Sequence, residues 1–135
     1  MSVVKSQRDE SNLEFLYRAR ELRKYTIQKC VGFPKRYTFY VGQNIADLSA
    51  SVLDNAKMGN DIFPRNQHEA QLRRDHFLEA LAALDALVSE VELAAELFDI
   101  EEKKMLHWMS LVNNEWMLIK GVLDSDSQRF KNLPE

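Results

Sequence analysis

Residues 66–98 run for thirty-three positions without a single Gly or Pro and are dense in Ala, Leu, Glu and Arg. Those are good helix formers, so the stretch predicts one uninterrupted helix. At ~1.5 Å per residue it spans roughly 45–50 Å, the long axis of a small helical domain. Its apolar residues form one stripe at Phe77, Leu81, Leu84, Val88, Val91 and Ala95. A second stripe runs beside it through Ala80, Leu84, Leu87, Val91, Ala94 and Phe98. Together they are wider than the seam of a two-stranded coiled coil, so this helix needs more than one neighbour.

The neighbours are visible on either side. Ser11 and Glu14 have capping-box spacing and open a first helix that reaches about residue 30, with Phe15, Ala19, Leu22 and Thr26 inward. Gly32 and Pro34 end it. A second helix follows over about 38–58, with Val41, Ile45, Leu48, Val52 and Ala56 inward. Gly42 inside it costs up to ~1 kcal/mol against Ala, which points to a close helix contact there or to a later helix start. Gly59 and Pro64 mark the next break, where Ile62 and Phe63 are placed to plug one end of the core. Asn66 with Glu69, and Asp99 with Glu102, repeat the box spacing and open helices three and four. The fourth carries Met105, Met109, Val112, Trp116 and Ile119 at helical steps, with Gly121 near its end. Four amphipathic segments joined by short breaks predict an all-α fold, an antiparallel up-down four-helix bundle. The bundle occupies residues 11–123, between a flexible polar tail (1–10) and a polar C-terminal tail (124–135).

A chain of 135 residues fits one domain with a core of its own. No run approaches the length of a membrane span, and residues 1–12 hold no apolar stretch of signal-peptide length. The lone Cys30 excludes an internal disulfide framework. Together these predict a cytoplasmic protein with no membrane partner.

Catalytic chemistry has few candidates. A di-iron bundle needs Glu three residues before an inward His; His68, His76 and His107 have Arg65, Arg73 and Lys104 there. Helical ribonucleases of the HEPN type place Arg five to seven residues ahead of His, and no histidine here has one. His76 next to Asp75 lacks a paired nucleophile and reads as a surface or satisfied histidine. Trp108 and Trp116 with Met105, Met109 and Met117 read as core or protomer interface rather than a ligand pocket. Four scattered glycines cannot build a phosphate loop. The sequence predicts no enzyme, no metal site and no cofactor.

Charge is more informative. Net charge is −3, yet residues 12–36 carry seven bases against two acids, and residues 77–102 carry eight acids and no base. Such asymmetry marks either a nucleic-acid face or surfaces that pair within an oligomer. Arg20, Arg23, Lys24, Lys35 and Arg36 are the candidate phosphate contacts, with Tyr25 and Tyr37 as candidate stacking surfaces. The competing reading is a solvated helix face.

The segment Phe33-Pro34-Lys35-Arg36-Tyr37-Thr38-Phe39, followed by Gly42 and Ile45, resembles the accessory variability determinant family of diversity-generating retroelements. It is also similar to the related bundles encoded in ribosomal intervening sequences. Leu72-Arg73-Arg74, Phe77, Leu81 and Leu84 resemble that family's third helix, and Asn114-Glu115 with Lys120-Gly121 its fourth. The resemblance covers about 13–122. It implies a homopentameric barrel of bundles whose basic surface engages nucleic acid, RNA or an RNA–DNA hybrid, and a partner reverse transcriptase. The chain departs from the pattern where the family commonly has arginines in helix three: here stand Asp85, Glu90, Glu92 and Glu96. The expected function is therefore a non-catalytic oligomeric accessory of a retroelement, scaffolding a reverse transcriptase and its RNA or cDNA. The alternative is a bundle that binds protein only.

Overall fold

A computed structural model describes residues 13–135. Among them are four α-helices and no strand: α1 (Glu14–Val31), α2 (Gln43–Asn60), α3 (Gln67–Leu97) and α4 (Glu102–Arg129). α1 packs on α2 and α4, and α3 packs on the same two helices. The helices therefore follow one another around the bundle, and α1 and α3 lie on a diagonal. This is the all-α, up-down four-helix bundle that the periodicity implies.

The core follows the stripe of α1 and the second stripe of α3 closely; on the first α3 stripe Val88 is half-buried and Ala95 exposed. Phe15, Ala19, Leu22 and Thr26 are buried, as are Ala80, Leu84, Leu87, Val91 and Ala94. Leu84, at the crossing of both α3 stripes, has no solvent exposure. Phe15 meets Phe77 edge-on at 5.7 Å, joining the two diagonal helices through the centre.

Several boundaries differ from the sequence expectation. Ser11 lies outside the described residues; the N-cap of α1 is Leu13, whose side chain makes no capping bond. Residues Lys35–Tyr37 form a 3-10 turn and Thr38–Gly42 a π-helical turn, so regular α2 begins at Gln43. The tight helix contact falls at Gly59 rather than Gly42. A Cβ on Gly59 would stand 2.8 Å from the Phe77 ring, whereas one on Gly42 would meet Phe33 at an ordinary 3.6 Å. Asn66 does cap α3, its Oδ1 accepting from the Glu69 amide at 2.9 Å. The Glu69 carboxylate does not return to Asn66; it accepts from the backbone amide and guanidinium of Arg65. The cap of α4 is Glu101, not Asp99, and its side chain makes no capping bond. Phe63 is 85% exposed, so it does not plug the core.

α4 departs most. Its buried positions are Trp108, Val112, Glu115, Ile119, Leu123 and Asp126, a stripe rotated from the apolar one. A count of apolar residues skips an inward acid, and here the inward face contains two. The helix also runs on to Arg129 through residues expected to be a tail. What holds that last turn is a buried ion pair: Arg73 Nε donates to Asp126 Oδ2 at 2.7 Å. Arg73 also donates to the carbonyls of Gly59 and Ile62, at the C-terminus of α2, where a cation complements the helix dipole. Its guanidinium lies against the rings of Phe77 and Phe130. Beyond α4 the chain is gathered by Gln67, whose side-chain amide donates to the carbonyls of Phe130, Lys131 and Leu133. The Gln67 backbone amide donates to Pro134 O at 2.8 Å.

Candidate nucleic-acid interface

The five candidate bases fall along one edge of the bundle, in two groups. Arg20 and Lys24 are one turn apart on α1 and exposed. Arg23 is half-buried; it neighbours Arg20 one turn away but, at ~100° per residue, is rotated from Lys24 toward the flank nearer α2. The opposite flank of α1 faces α4, since Tyr25 there meets His107 and Trp108. Lys35 and Arg36 are exposed in the 3-10 turn that follows α1. By helix rise, Arg20 lies roughly 17 Å along the axis from the end of α1. Ile27 and Val31 occupy the outward face between the two groups, Val31 being 81% exposed. The edge is thus mixed, basic and apolar, rather than an unbroken row of charge.

Among the described residues, none of the five bases makes an ion pair. The reason lies in the topology. The acids Asp85, Glu92 and Glu96 are exposed on α3, on the far side of the diagonal from α1. Basic and acidic helices of one chain cannot neutralise each other.

The two tyrosines expected to offer stacking surfaces are already occupied. Tyr25 donates its hydroxyl to Lys104 O at 3.2 Å, and Lys29 lies over its ring. Its phenol is held above its ordinary value, chiefly by burial and then by Glu101. Tyr37 stacks on Phe98 at 5.1 Å, with Arg36 over its ring. Phe33, buried beneath this turn, meets Phe98 and Trp108. The turn is therefore pinned by aromatic packing, which fixes where Lys35 and Arg36 project. Phe39 and Tyr40, by contrast, are exposed, and neither falls on the inward stripe of the second helix.

Other titratable groups have structural explanations. His76 Nδ1 pairs with Asn55 Oδ1 at 3.2 Å. Burial pushes the half-buried Cys30 thiol up to about 11, so at neutral pH it is not a thiolate nucleophile. No cluster of three or more potential metal-ligating residues occurs among the described residues. Trp108 is fully buried and donates to Thr26 Oγ1 at 3.0 Å, a core contact.

Glu115 is buried with its whole carboxyl group unpartnered. Its side chain has no exposure, and neither carboxylate oxygen has a hydrogen bond. Burial pushes it up to about 9, so it is protonated at neutral pH. The pairs Thr26–Trp108 and Phe15–Phe77, with Gly59 against Phe77, set the register of the four helices. Counting from them, Glu115 is level with Ala19, Ala56 and Ala80. All three alanines are buried, which leaves room at that level for one longer side chain.

No protein family, curated protein or solved structure matches the chain.

Proposed function

We propose that this protein is a non-catalytic scaffold that holds nucleic acid along the α1 edge of a helical bundle. The observation that carries the reading is the set of five bases without intramolecular acid partners. An exposed ion pair contributes only ~0–1 kcal/mol, so clustered bases gain little as a stability device. Phosphate contacts accumulate, because each neutralised phosphate releases counterions. The resemblance of the α1–α2 turn to accessory variability determinants adds the biological setting. In that setting the chain is a cytoplasmic, oligomeric, pentameric accessory of a reverse transcriptase, bound to RNA or an RNA–DNA hybrid. No described helix is long and apolar enough to cross a membrane.

The test is a mobility-shift titration with structured RNA and an RNA–DNA hybrid at low and moderate salt. Wild type is compared with the variant carrying R20E, R23E, K35E and R36E, and light scattering after size exclusion gives the assembly state of both. Salt-sensitive binding by the wild type, lost in the variant, is the expected result. Equal binding by both, or none by either, refutes it. The bundle is then a protein-only scaffold, a reading favoured by exposed Val31, Leu106 and Met117. A clean monomer at micromolar concentration would remove the ring.

A further inference from the structure

Phe39 and Tyr40 stand out from every other aromatic in the described chain except Tyr17 and Phe63 by their exposure, 75% and 76%. They are not needed to close the core beneath them. Phe33 and Val41 are buried there, and Gly42 is buried against the Phe33 ring. The two rings meet edge-to-face, 5.4 Å apart at 87°, so each keeps a face that its companion does not cover. They are consecutive residues in the π-helical turn Thr38–Gly42, a wide turn of the kind often found at functional sites. Tyr17 and Phe63 each lie elsewhere, on α1 and in the α2–α3 connection, with no aromatic pair between them.

The surroundings of the pair are positive. Residues 22–46 contain Arg23, Lys24, Lys29, Lys35 and Arg36 and no acid. Lys35 and Arg36, separated from the pair by Tyr37 and Thr38, are exposed, as are Gln43 and Asn44 beyond Val41 and Gly42. The acids at the same end of the bundle, Asp99, Glu101 and Glu102, belong to the α3–α4 connection and the start of α4. Glu101 there is paired with Lys104 at 3.8 Å. The α1–α2 corner, where the rings are, thus carries bases and no acid of its own, with Asp99 following the Phe98 that stacks on Tyr37.

We propose that Phe39 and Tyr40 are a stacking platform for unpaired nucleobases, with Lys35 and Arg36 holding the flanking phosphates: a single-strand site at the α1–α2 turn. It rests on the nucleic-acid reading of the α1 edge and adds what that edge selects. Bases in a duplex are stacked on one another and hide their faces, so a duplex offers this corner only phosphates. A single strand offers both phosphates and π-faces, and stacking is indifferent to sequence because every base has such a face. Protein interfaces deplete lysine but enrich aromatic rings and arginine, so a protein partner is the competing occupant that the experiment must separate.

The experiment is fluorescence anisotropy with labelled single strands of about twenty nucleotides, one RNA and one DNA, and a duplex RNA of the same length. The proteins are wild type, F39A/Y40A, F39L/Y40L and K35E/R36E. Both rings are exposed, so their variants should melt as wild type does; the leucine pair keeps apolar bulk without a π-face. The expected result is roughly tenfold weaker single-strand binding in both ring variants, with duplex binding unchanged. K35E/R36E should weaken single strand and duplex alike. If RNA and DNA strands respond equally, the site recognises the base alone; a loss with RNA only ties it to ribose as well. Wild-type single-strand affinity in the ring variants overturns the platform and leaves a phosphate-only edge. Equal loss with duplex and single strand, or a changed assembly state, also overturns it, making the rings a structural or protein contact. Failure of wild type to bind any of the three probes overturns both the platform and the nucleic-acid reading.

Discussion

Glu115 makes the stability of this bundle depend on pH in the direction opposite to that of most carboxylates. In the fold its proton is held to about pH 9, against 4.5 in the open chain, because burial penalises the charged form. Below pH 4.5 both states carry the proton and there is no effect. Between the two values the unfolded chain loses a proton that the native state keeps, so stability falls as pH rises, by about 1.4 kcal/mol per pH unit. At pH 7 the accumulated penalty is about 3 kcal/mol, and at pH 8 about 5 kcal/mol. The substitution Glu115→Gln keeps the shape and removes the titration. Urea denaturation of both proteins at pH 5, 6, 7 and 8, followed by far-UV circular dichroism, gives the difference in stability, in which other titrating groups cancel. The variant should match wild type near pH 5 and exceed it by about 3 kcal/mol at pH 7. A difference that changes by less than about 1 kcal/mol over the whole range would mean that the carboxylate is ionised in the fold and the argument from burial is wrong.

Two further substitutions probe the packing. Leu84→Ala should cost about 2–5 kcal/mol in chemical denaturation by leaving a cavity at the centre of the bundle; below about 1 kcal/mol the buried face has been misassigned. Asp126→Ala should cost about 3–5 kcal/mol, because it strands the Arg73 guanidinium without its partner. The double variant Arg73→Met/Asp126→Leu should recover most of that loss, and a double variant as unstable as the single one would refute the explanation.

What was legible in the sequence follows from what a hydropathy pattern records. Phe15, Ala19, Leu22 and Thr26, and the α3 stripe through Ala80, Leu84 and Val91, are uniform enough that helical spacing alone finds the buried face. α4 defeats the same method because Glu115 and Asp126 are inward. With acids excluded, the spacing settles on Met105, Met109 and Trp116, which are only partly buried. The continuation of α4 past residue 123 was hidden for the same reason: its anchor is a charge pair with Arg73, fifty-three positions away. Of the candidate site, the bases were legible by composition, and their lack of acid partners was not. That property belongs to the diagonal placement of α1 and α3. The two tyrosines are covered by residues distant in sequence, Tyr37 by Phe98 just past the end of α3 and Tyr25 by His107 and Trp108 of α4, which no local spacing reveals.

The same diagonal has a consequence for how copies of the chain can meet. With a basic helix on one side and an acidic helix on the other, each molecule carries a dipole moment transverse to the bundle axis. A two-fold dimer through either face would oppose like charges, so attraction between these faces is heterologous, head to tail. Faces on opposite sides of a molecule propagate in a nearly straight line, and straight propagation does not close. A closed ring of these bundles must therefore draw its contacts from surfaces nearer to each other around the bundle than α1 and α3. If charge pairing governs instead, the assembly is an open filament that salt dissolves.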